Sequence, residues 1–358
     1  MTPQAPADAI REVRDRVTSE LLSFIDTREP ILTSISPELS DLHSTLRDFL
    51  RSGKRLRPLF CWWGWRAAGG SSDNEAALRA ATSLEFLQAC ALIHDDVMDG
   101  SETRRGLPAA HKRLATLHTQ HHWHGDPEAF GVAGAILLGD LCLSWNDEMF
   151  LEPGLPVGDV LRAKRILDIT RTELMGGQYL DVVEQAKGSA SIDQTLRVAR
   201  YKSAKYTIER PLHIGATLAG APPELIEAFT GYGLPLGEAF QLRDDFLGIF
   251  GDPGVTGKPA GDDIREGKRT FLIAATLEKA NHAQTKVVHE ALGNADLRVD
   301  DVTAIRQIIV DTGALARAED HIASCTEQAL SALDSVELAP PAREVLGDLA
   351  LAATNRRV

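Results

Sequence analysis

The sequence predicts an all-α protein, and three observations carry that prediction. Apolar residues recur at i, i+3 and i+4 in one segment after another, the spacing of a single helical face. No segment alternates convincingly in the period of two that marks a half-buried strand, and no repeat of fixed period runs through the chain. Small residues at Ala76, Ala77, Ala80, Ala81, Ala89 and Ala91 punctuate the longest apolar segment, as close packing between helices requires.

Taken in order, Ala7 to Asp26 reads as an amphipathic helix with Ile10, Val13, Val17, Leu21 and Leu22 on one side. Arg28 to Glu38 reads as a looser link because it contains Pro30 and Pro37. Leu39 to Leu50 is helical again, and Ser52-Gly53 breaks it. Leu56 to Ala68 is rich in Trp and Leu and ends in the loop Gly69-Gly70-Ser71-Ser72. Asn74 to Ile93 is the long small-residue helix. Leu107 to Asp126 looks irregular and is expected to be a surface insertion. Its His118, His121, His122 and His124 lack acidic partners, so a metal role is set aside. Helices are expected over Gly131 to Phe150, Val160 to Ala186, Leu196 to Ala219, Pro223 to Phe250 and five shorter segments from Arg269 to Ala353. The 358-residue length would allow two domains, but no composition shift marks a boundary. One domain over 1–358 is expected, with N-terminal helices in 1–50 and the insertion at 107–126.

Composition narrows the functions. An apolar content of 44% in a chain this long can build a large core. With 38 Lys and Arg against 51 Asp and Glu, the formal charge of −13 argues against nucleic acid as a partner. Cys61, Cys90, Cys142 and Cys325 are scattered without metal spacing and read as unpaired thiols of a reducing compartment. No signal-peptide core and no run of about 18 apolar residues is visible, so a cytoplasmic protein without a transmembrane segment is expected.

The chemistry concentrates where the apolar run Cys90 to Ile93 leads into His94-Asp95-Asp96-Val97-Met98-Asp99. On a helix Asp95 and Asp99 share one face, with Asp96 about 100° round. Carboxylates this close repel one another unless a cation lies between them. An oxygen-only set suits a hard divalent ion such as Mg²⁺, completed by waters and phosphate oxygens. Arg104, Arg105 and the turn-forming Gly106 follow, so that carboxylates and guanidinium forks together describe a polyphosphate site. Alone, the stretch would equally fit a solvated acidic helix end before a basic loop. About 150 residues later the pattern returns as Gln241-Leu242-Arg243-Asp244-Asp245-Phe246-Leu247-Gly248, with Thr256-Gly257-Lys258 beyond. Two such segments suggest two walls of one cavity.

At these residues the chain resembles the trans (all-E) isoprenyl diphosphate synthases, or polyprenyl synthetases. Asp95, Asp96, Asp99, Arg104, Arg105 and Gly106 match that family's DDxxD and RRG elements, and the likeness runs from about Ser52 to Thr270. Gly53-Lys54-Arg55-Leu56-Arg57-Pro58 resembles its GKRxRP segment. The resemblance implies a single helical bundle of the isoprenoid synthase type with a central cavity. It also implies a Mg²⁺-dependent enzyme with two or three ions, condensing isopentenyl diphosphate with an allylic diphosphate, and a homodimer. By the same resemblance Lys54, Arg57, Gln88 and Arg105 would hold isopentenyl diphosphate. Asp95, Asp99 and Asp244 would carry the metal. Arg104, Lys202 and Lys258 would contact the allylic diphosphate, with Asp96, Ser203, Gln178 and Gln241 completing the catalytic set. Lys202-Ser203 falls where the family's helix is locally disturbed; Asp181 follows Gln178 in a GQxxD-like element, and Gly139-Asp140 resembles an LLGD segment. The second motif departs from DDxxD, for Gly248 stands at its last position.

Product length is read above Asp95. A C5 unit is about as long as one helical turn, roughly 5 Å. Cys90 and Ala91 are small where family members that stop at C15 usually place an aromatic ring. The tail would pass them to meet Leu87, Phe86 or Leu84, predicting geranylgeranyl (C20) diphosphate, with C30 or longer as the alternative. A class I terpene cyclase would have no need of Lys54, Arg57, Gln88 and Arg105. A non-catalytic partner subunit would typically have lost aspartates of the first motif.

Overall fold

The structure is a computed structural model and describes residues 5–152, 154–251, 261–294 and 296–355. It is all-α, as the sequence predicts, with a single two-residue-per-strand hairpin among the described residues. Where the sequence marks no boundary, the chain groups into two compact units. One runs up to Trp62 and adds Gly70–Val160; the other joins Trp63–Gly69 to the chain from Leu161 onward.

The first unit begins with α1 (Pro6–Ile35), α2 (Ser40–Leu50) and the first half of α3 (Leu56–Ala67). It continues with α4 (Glu75–Met98), the hairpin β1 (Thr103–Arg104) and β2 (Leu107–Pro108), α5 (Ala110–Gln120) and α6 (Pro127–Phe150). Asn74 caps α4 by accepting from the Ala77 amide at 2.9 Å, which explains why the helix starts where the sequence placed it. Its core is a triangle of rings, Phe24 to Phe86 at 5.2 Å and Phe86 to Trp145 at 5.8 Å, joined by Leu21, Ile25, Cys90, Leu138 and Cys142.

Two expectations for this unit need correction. Most of the expected link at 28–38 is helix: α1 runs through Pro30 to Ile35, and only Ser36 and the single turn Pro37–Leu39 connect it to α2. A proline inside a helix removes one backbone bond, but Phe24, Ile25 and Leu32 continue the buried face on both sides of it. Within 107–126 the stretch expected to be irregular contains a packed helix, α5 (Ala110–Gln120), while residues 121–126 are exposed. α5 buries Ala110, His111, Leu114, Ala115 and His118, and lies so close to α6 that a Cβ on Gly131 would stand 2.2 Å from the His111 carbonyl. His118 is a core residue, its Nε2 3.1 Å from the His124 carbonyl and its ring 5.2 Å from that of Phe130.

The second unit holds most of α7 (Val157–Lys187), α8 (Ile192–Val198), a π-helical segment (Ala199–Glu209), α9 (Arg210–Leu218) and α10 (Pro223–Phe250). Then come α11 (Asp262–Arg265), α12 (Phe271–Lys279), α13 (His282–Ala291), α14 (Val299–Asp311), α15 (Ala314–Ala332) and α16 (Ala342–Thr354). Its core gathers Leu242 and Ile249 of α10 with Ile264, Phe271, Ile305, Ile309 and Ile322. All four cysteines are buried and none forms a disulfide.

Two helices, α4 and α6, are long and apolar enough to cross a membrane by length and composition alone. The most apolar window of α4 is 72% buried inside the protein, whereas that of α6 is only 33% buried. One side of α6 packs on α4 and α5. The other leaves Ile136 and Leu137 exposed.

Candidate active site

In the first unit the acidic motif sits on the last turn of α4. Asp95 and Asp99 lie on a face that also carries Gln88 and Ala91, none of them fully buried. The amide of Asp99 donates to the Asp95 carbonyl at 2.8 Å, so Asp99 is the residue that closes the helix. Asp96 turns the other way and is fully buried. There it accepts from both Nε (2.8 Å) and Nη2 of Arg104. The sequence reading gave Asp96 and Arg104 roles of their own at the substrate; the structure joins them, with Asp96 setting where Arg104 stands. The hairpin does the delivery. Its two central residues, Arg105 and Gly106, both have left-handed φ (55° and 76°), as a tight two-residue turn demands.

Arg105 then reaches the α2–α3 loop, where its Nη1 donates to the carbonyls of Ser52 and, at 3.3 Å, Phe49. A Cβ on Gly53 (φ +150°) would lie 3.0 Å from Arg105 Nη1 and 3.1 Å from Arg55 Nη1, so only glycine leaves this backbone open between two guanidinium groups. Burial lowers the pKa of Arg105 from its usual value, opposed by Glu85 and reinforced by Arg55, Arg104 and Arg57. Like charges gathered around an open glycine form a cradle for an anion. Arg55, which sequence reasoning passed over between Lys54 and Arg57, is the fully buried member. Its Nη1 donates to Glu85 at 2.7 Å, and its backbone is left-handed at φ 54°. Lys54 is exposed and Arg57 half-buried.

Of the chain-length positions, Ala91 lies one turn before Asp95 on the same face. Cys90 lies about 140° round from Asp95; it packs into the apolar core, with Sγ 3.8 Å from His94 Nδ1. Phe86 belongs to the ring triangle. Leu84 and Leu87, both buried, are the residues that follow Ala91 down that side of the helix. Gly139 has its own explanation: a Cβ there would stand 2.1 Å from His94 Nε2, which donates to the Ile136 carbonyl at 3.1 Å.

In the second unit the disturbed helix is real: Ala199–Glu209 is π-helical. A widened turn costs stability and is concentrated at functional sites. Three glycines admit it, for a Cβ on Gly177 would lie 2.6 Å from the Lys202 amide nitrogen, on Gly233 2.7 Å from the Glu209 Cα and on Gly237 2.3 Å from the Ala204 Cα. Lys202 Nζ pairs with Asp181 of α7 at 2.6 Å. Ser203 donates its hydroxyl to Gln241 Oε1, and Gln241 Nε2 donates to Asp245 at 2.7 Å, which strings Ser203, Gln241 and Asp245 together. Asp244 is exposed on α10, one turn beyond Gln241. Gln178 shares α7 with Asp181. Lys258 lies outside the described residues.

The carboxylates of this unit fit a divalent cation. Burial pushes the pKa of Asp245 up to about 8, with Asp263 and then Asp244 adding repulsion against Gln241 and Lys268. A cation relieves such crowding, and every donor present is oxygen, the set Mg²⁺ prefers. Asp263 lies 15 residues beyond Gly248, too far for spacing alone to connect them.

A helical protein with a metal-suited carboxylate face, an arginine cradle and a π-bulged lysine–serine pair is a diphosphate-handling enzyme. The profile of the polyprenyl synthetase family matches residues 40–309, and the chain belongs to that family. It is a trans-prenyltransferase, an isoprenyl diphosphate synthase. Among its relatives, the geranylfarnesyl diphosphate synthase of Aeropyrum pernix is 33% identical over 287 residues, 79% of this chain and 84% of that one. A (2E,6E)-farnesyl diphosphate synthase of Mycobacterium bovis is 34% identical over 278 residues, 75% and 71% of the two chains. A geranylgeranyl pyrophosphate synthase of Corynebacterium glutamicum, solved with isoprenyl diphosphate and magnesium, superposes with TM-score 0.94 at 42% identity, covering 97% of this chain and 99% of that one.

Proposed function

We propose that the chain condenses isopentenyl diphosphate with an allylic diphosphate in the presence of Mg²⁺ and releases all-E geranylgeranyl diphosphate as its main product. The observation that carries this reading is the α4 face on which Asp95 and Asp99 stand above the small Ala91 and the buried Leu84 and Leu87. The relatives differ in product, so the family does not decide it. Two or three Mg²⁺ ions would be held by Asp95, Asp99 and Asp244, and they would neutralise negative charge as the allylic C–O bond breaks. Arg104, Lys202 and Lys258 hold the allylic diphosphate. Arg105, Arg57, Lys54 and Gln88 hold the other diphosphate at the Gly53 cradle. Ser203, Gln178, Gln241 and the π-helical carbonyls face the developing cation, and apolar walls keep out the water that would quench it. The proton lost after attack by the isopentenyl double bond goes to the departing pyrophosphate.

The test is incubation with isotope-labelled isopentenyl diphosphate, each allylic primer in turn and Mg²⁺, followed by sizing of the dephosphorylated products. A C20 alcohol abolished by EDTA is the expected result. Products of C30 or more would retain the chemistry and refute the chain length; no condensation with any primer would leave a non-catalytic subunit as the better reading. Because Ala91 is small and shares the Asp95 face, Ala91→Phe should shorten the main product from C20 to C15 or less. Unchanged C20 on the same chromatogram would show that the tail takes another path.

We propose also that the exposed side of α6 is covered by a second copy of the chain. Adjacent large apolar side chains are stabilised when removed from water, and Ile136 and Leu137 are 45% and 62% exposed on that side. Leu137→Arg should convert a dimer to a monomer in sedimentation experiments; wild-type protein sedimenting as a monomer at micromolar concentration would refute the interface. Four buried thiols, none in a disulfide, fit the cytoplasm, and recovery of the protein in a washed membrane fraction would refute that placement.

A further inference from the structure

Away from the acidic motifs, the second unit holds a cluster of mixed donors that the condensation does not use. On α15, His321 and Cys325 stand four residues apart, so their side chains lie one above the other on one face. That face meets Glu238 of α10, and a carboxylate oxygen, an imidazole nitrogen and the Sγ all lie within 4.8 Å of one another. His321 Nε2 is 3.9 Å from Glu238 Oε2, too far for a hydrogen bond. It is buried and has no hydrogen-bond partner among the described residues. A buried ring nitrogen left this way costs stability unless some other group engages it. The carboxylate is already steadied from behind: Glu238 Oε1 accepts from Arg200 Nε at 2.9 Å and Nη2 at 2.7 Å, which leaves Oε2 for His321. The imidazole is steadied by Phe271, with 5.7 Å between ring centroids, and Cys325 is packed in the core of the unit.

We propose that Glu238, His321 and Cys325 bind Zn²⁺, with water at the fourth position. Zinc takes carboxylate, imidazole and thiolate ligands at about 2.0–2.3 Å in a tetrahedron, which sets the ligand atoms roughly 3.3–3.7 Å apart. Drawing the three together from within 4.8 Å takes side-chain rotation alone, because α10 and α15 already pack on each other. A thiolate in the set selects zinc over the hard Mg²⁺. Burial and the charge of Glu238 push the Cys325 thiol up to about 11, so the sulfur keeps its proton until a metal displaces it. His321 gives the way in, for its side chain is 33% exposed against 11% for Glu238. Arg200 is the outer partner that orients the carboxylate. The site is separate from the wall that carries Asp244, since Glu238 precedes Asp244 by six residues and lies about 120° round α10. Sequence spacing hid it, because Glu238 comes 83 residues before His321.

Cobalt reports this ligand set by its colour, without recourse to activity. Full-length protein stripped of metal by a chelator is titrated with Co²⁺ in excess Mg²⁺, which fills the oxygen-only sites. A thiolate-to-cobalt band in the near ultraviolet and the strong visible absorption of a tetrahedral ion should appear together, and Zn²⁺ should remove both. Cys325→Ser should abolish the thiolate band. His321→Gln, at a partly exposed position where the fold has least to lose, should weaken Zn²⁺ binding by about tenfold or more, the least that even an outer partner of a metal is worth. No thiolate band in the wild-type protein would overturn the proposal. So would a band that survives Cys325→Ser, which would place the metal at another cysteine, or a Zn²⁺ affinity unchanged in His321→Gln. Should Cys325→Ser fold poorly, the His321→Gln titration still decides the question.

Discussion

Asp95→Asn should lower kcat/KM for condensation by about 10³-fold, roughly 4 kcal/mol of transition-state stabilisation. The change keeps the shape of the side chain and removes one charge from the face it shares with Asp99. Groups that stabilise the departing pyrophosphate act on charge that exists only as the bond breaks, so the loss appears in kcat more than in KM. The neighbouring Asp96→Asn serves as the contrast. Asp96 is fully buried and bound to the Arg104 fork, so this variant should lose fold stability and the position of Arg104 together. Steady-state kinetics and thermal unfolding of both variants separate the two roles. If Asp95→Asn lost as much stability as Asp96→Asn, or retained more than a tenth of wild-type activity, the division of the motif into an outward and an inward aspartate would be wrong.

The acidic motifs and the helical class were legible because both are local. Apolar spacing reports a helix face, and Asp95 to Arg105 lie within eleven consecutive residues. What stayed hidden depends on distant partners. Helix α5 escaped notice because His111 and His118 occupy buried positions in its pattern, and histidine reads as polar until its hydrogen bonds are seen. The break expected at Pro30 did not occur because the burial of Leu32 extends the apolar face beyond it. Nothing in the residues 199–209 themselves announces a π-helix; its tolerance comes from Gly177, Gly233 and Gly237 on other helices. Among Lys54, Arg55 and Arg57, which one points inward is decided by Glu85, thirty residues away. The small residues at 90 and 91 looked equivalent in sequence, and only the direction of α4 against its core separates Ala91 from Cys90.

Glu85→Ala should be the most destabilising single change at the site, costing about 3–5 kcal/mol, the usual result of leaving a buried charge without its partner. Arg55 and Glu85 have side chains 0% and 3% exposed and meet at 2.7 Å. The other donors of Arg55 are committed as well, Nη2 to the Leu50 carbonyl and Nε to Thr18 Oγ1 at 3.2 Å, so the guanidinium cannot swing out to water without breaking the α2–α3 loop. That loop carries Gly53, and Glu85 also opposes the mutual repulsion of Arg55 and Arg105. The loss should therefore fall on the anion cradle first, with the Michaelis constant for isopentenyl diphosphate rising at temperatures where the variant is still folded. Replacing both partners, Arg55→Met with Glu85→Leu, removes the buried charge altogether and should recover most of the stability, because a buried ion pair is often worth no more than apolar residues of its size. It should not recover the Michaelis constant if the pair exists to shape the cradle. Urea unfolding and steady-state kinetics on the wild type and the two variants decide the matter: recovery of both quantities in the double variant would mean that the pair serves only the fold.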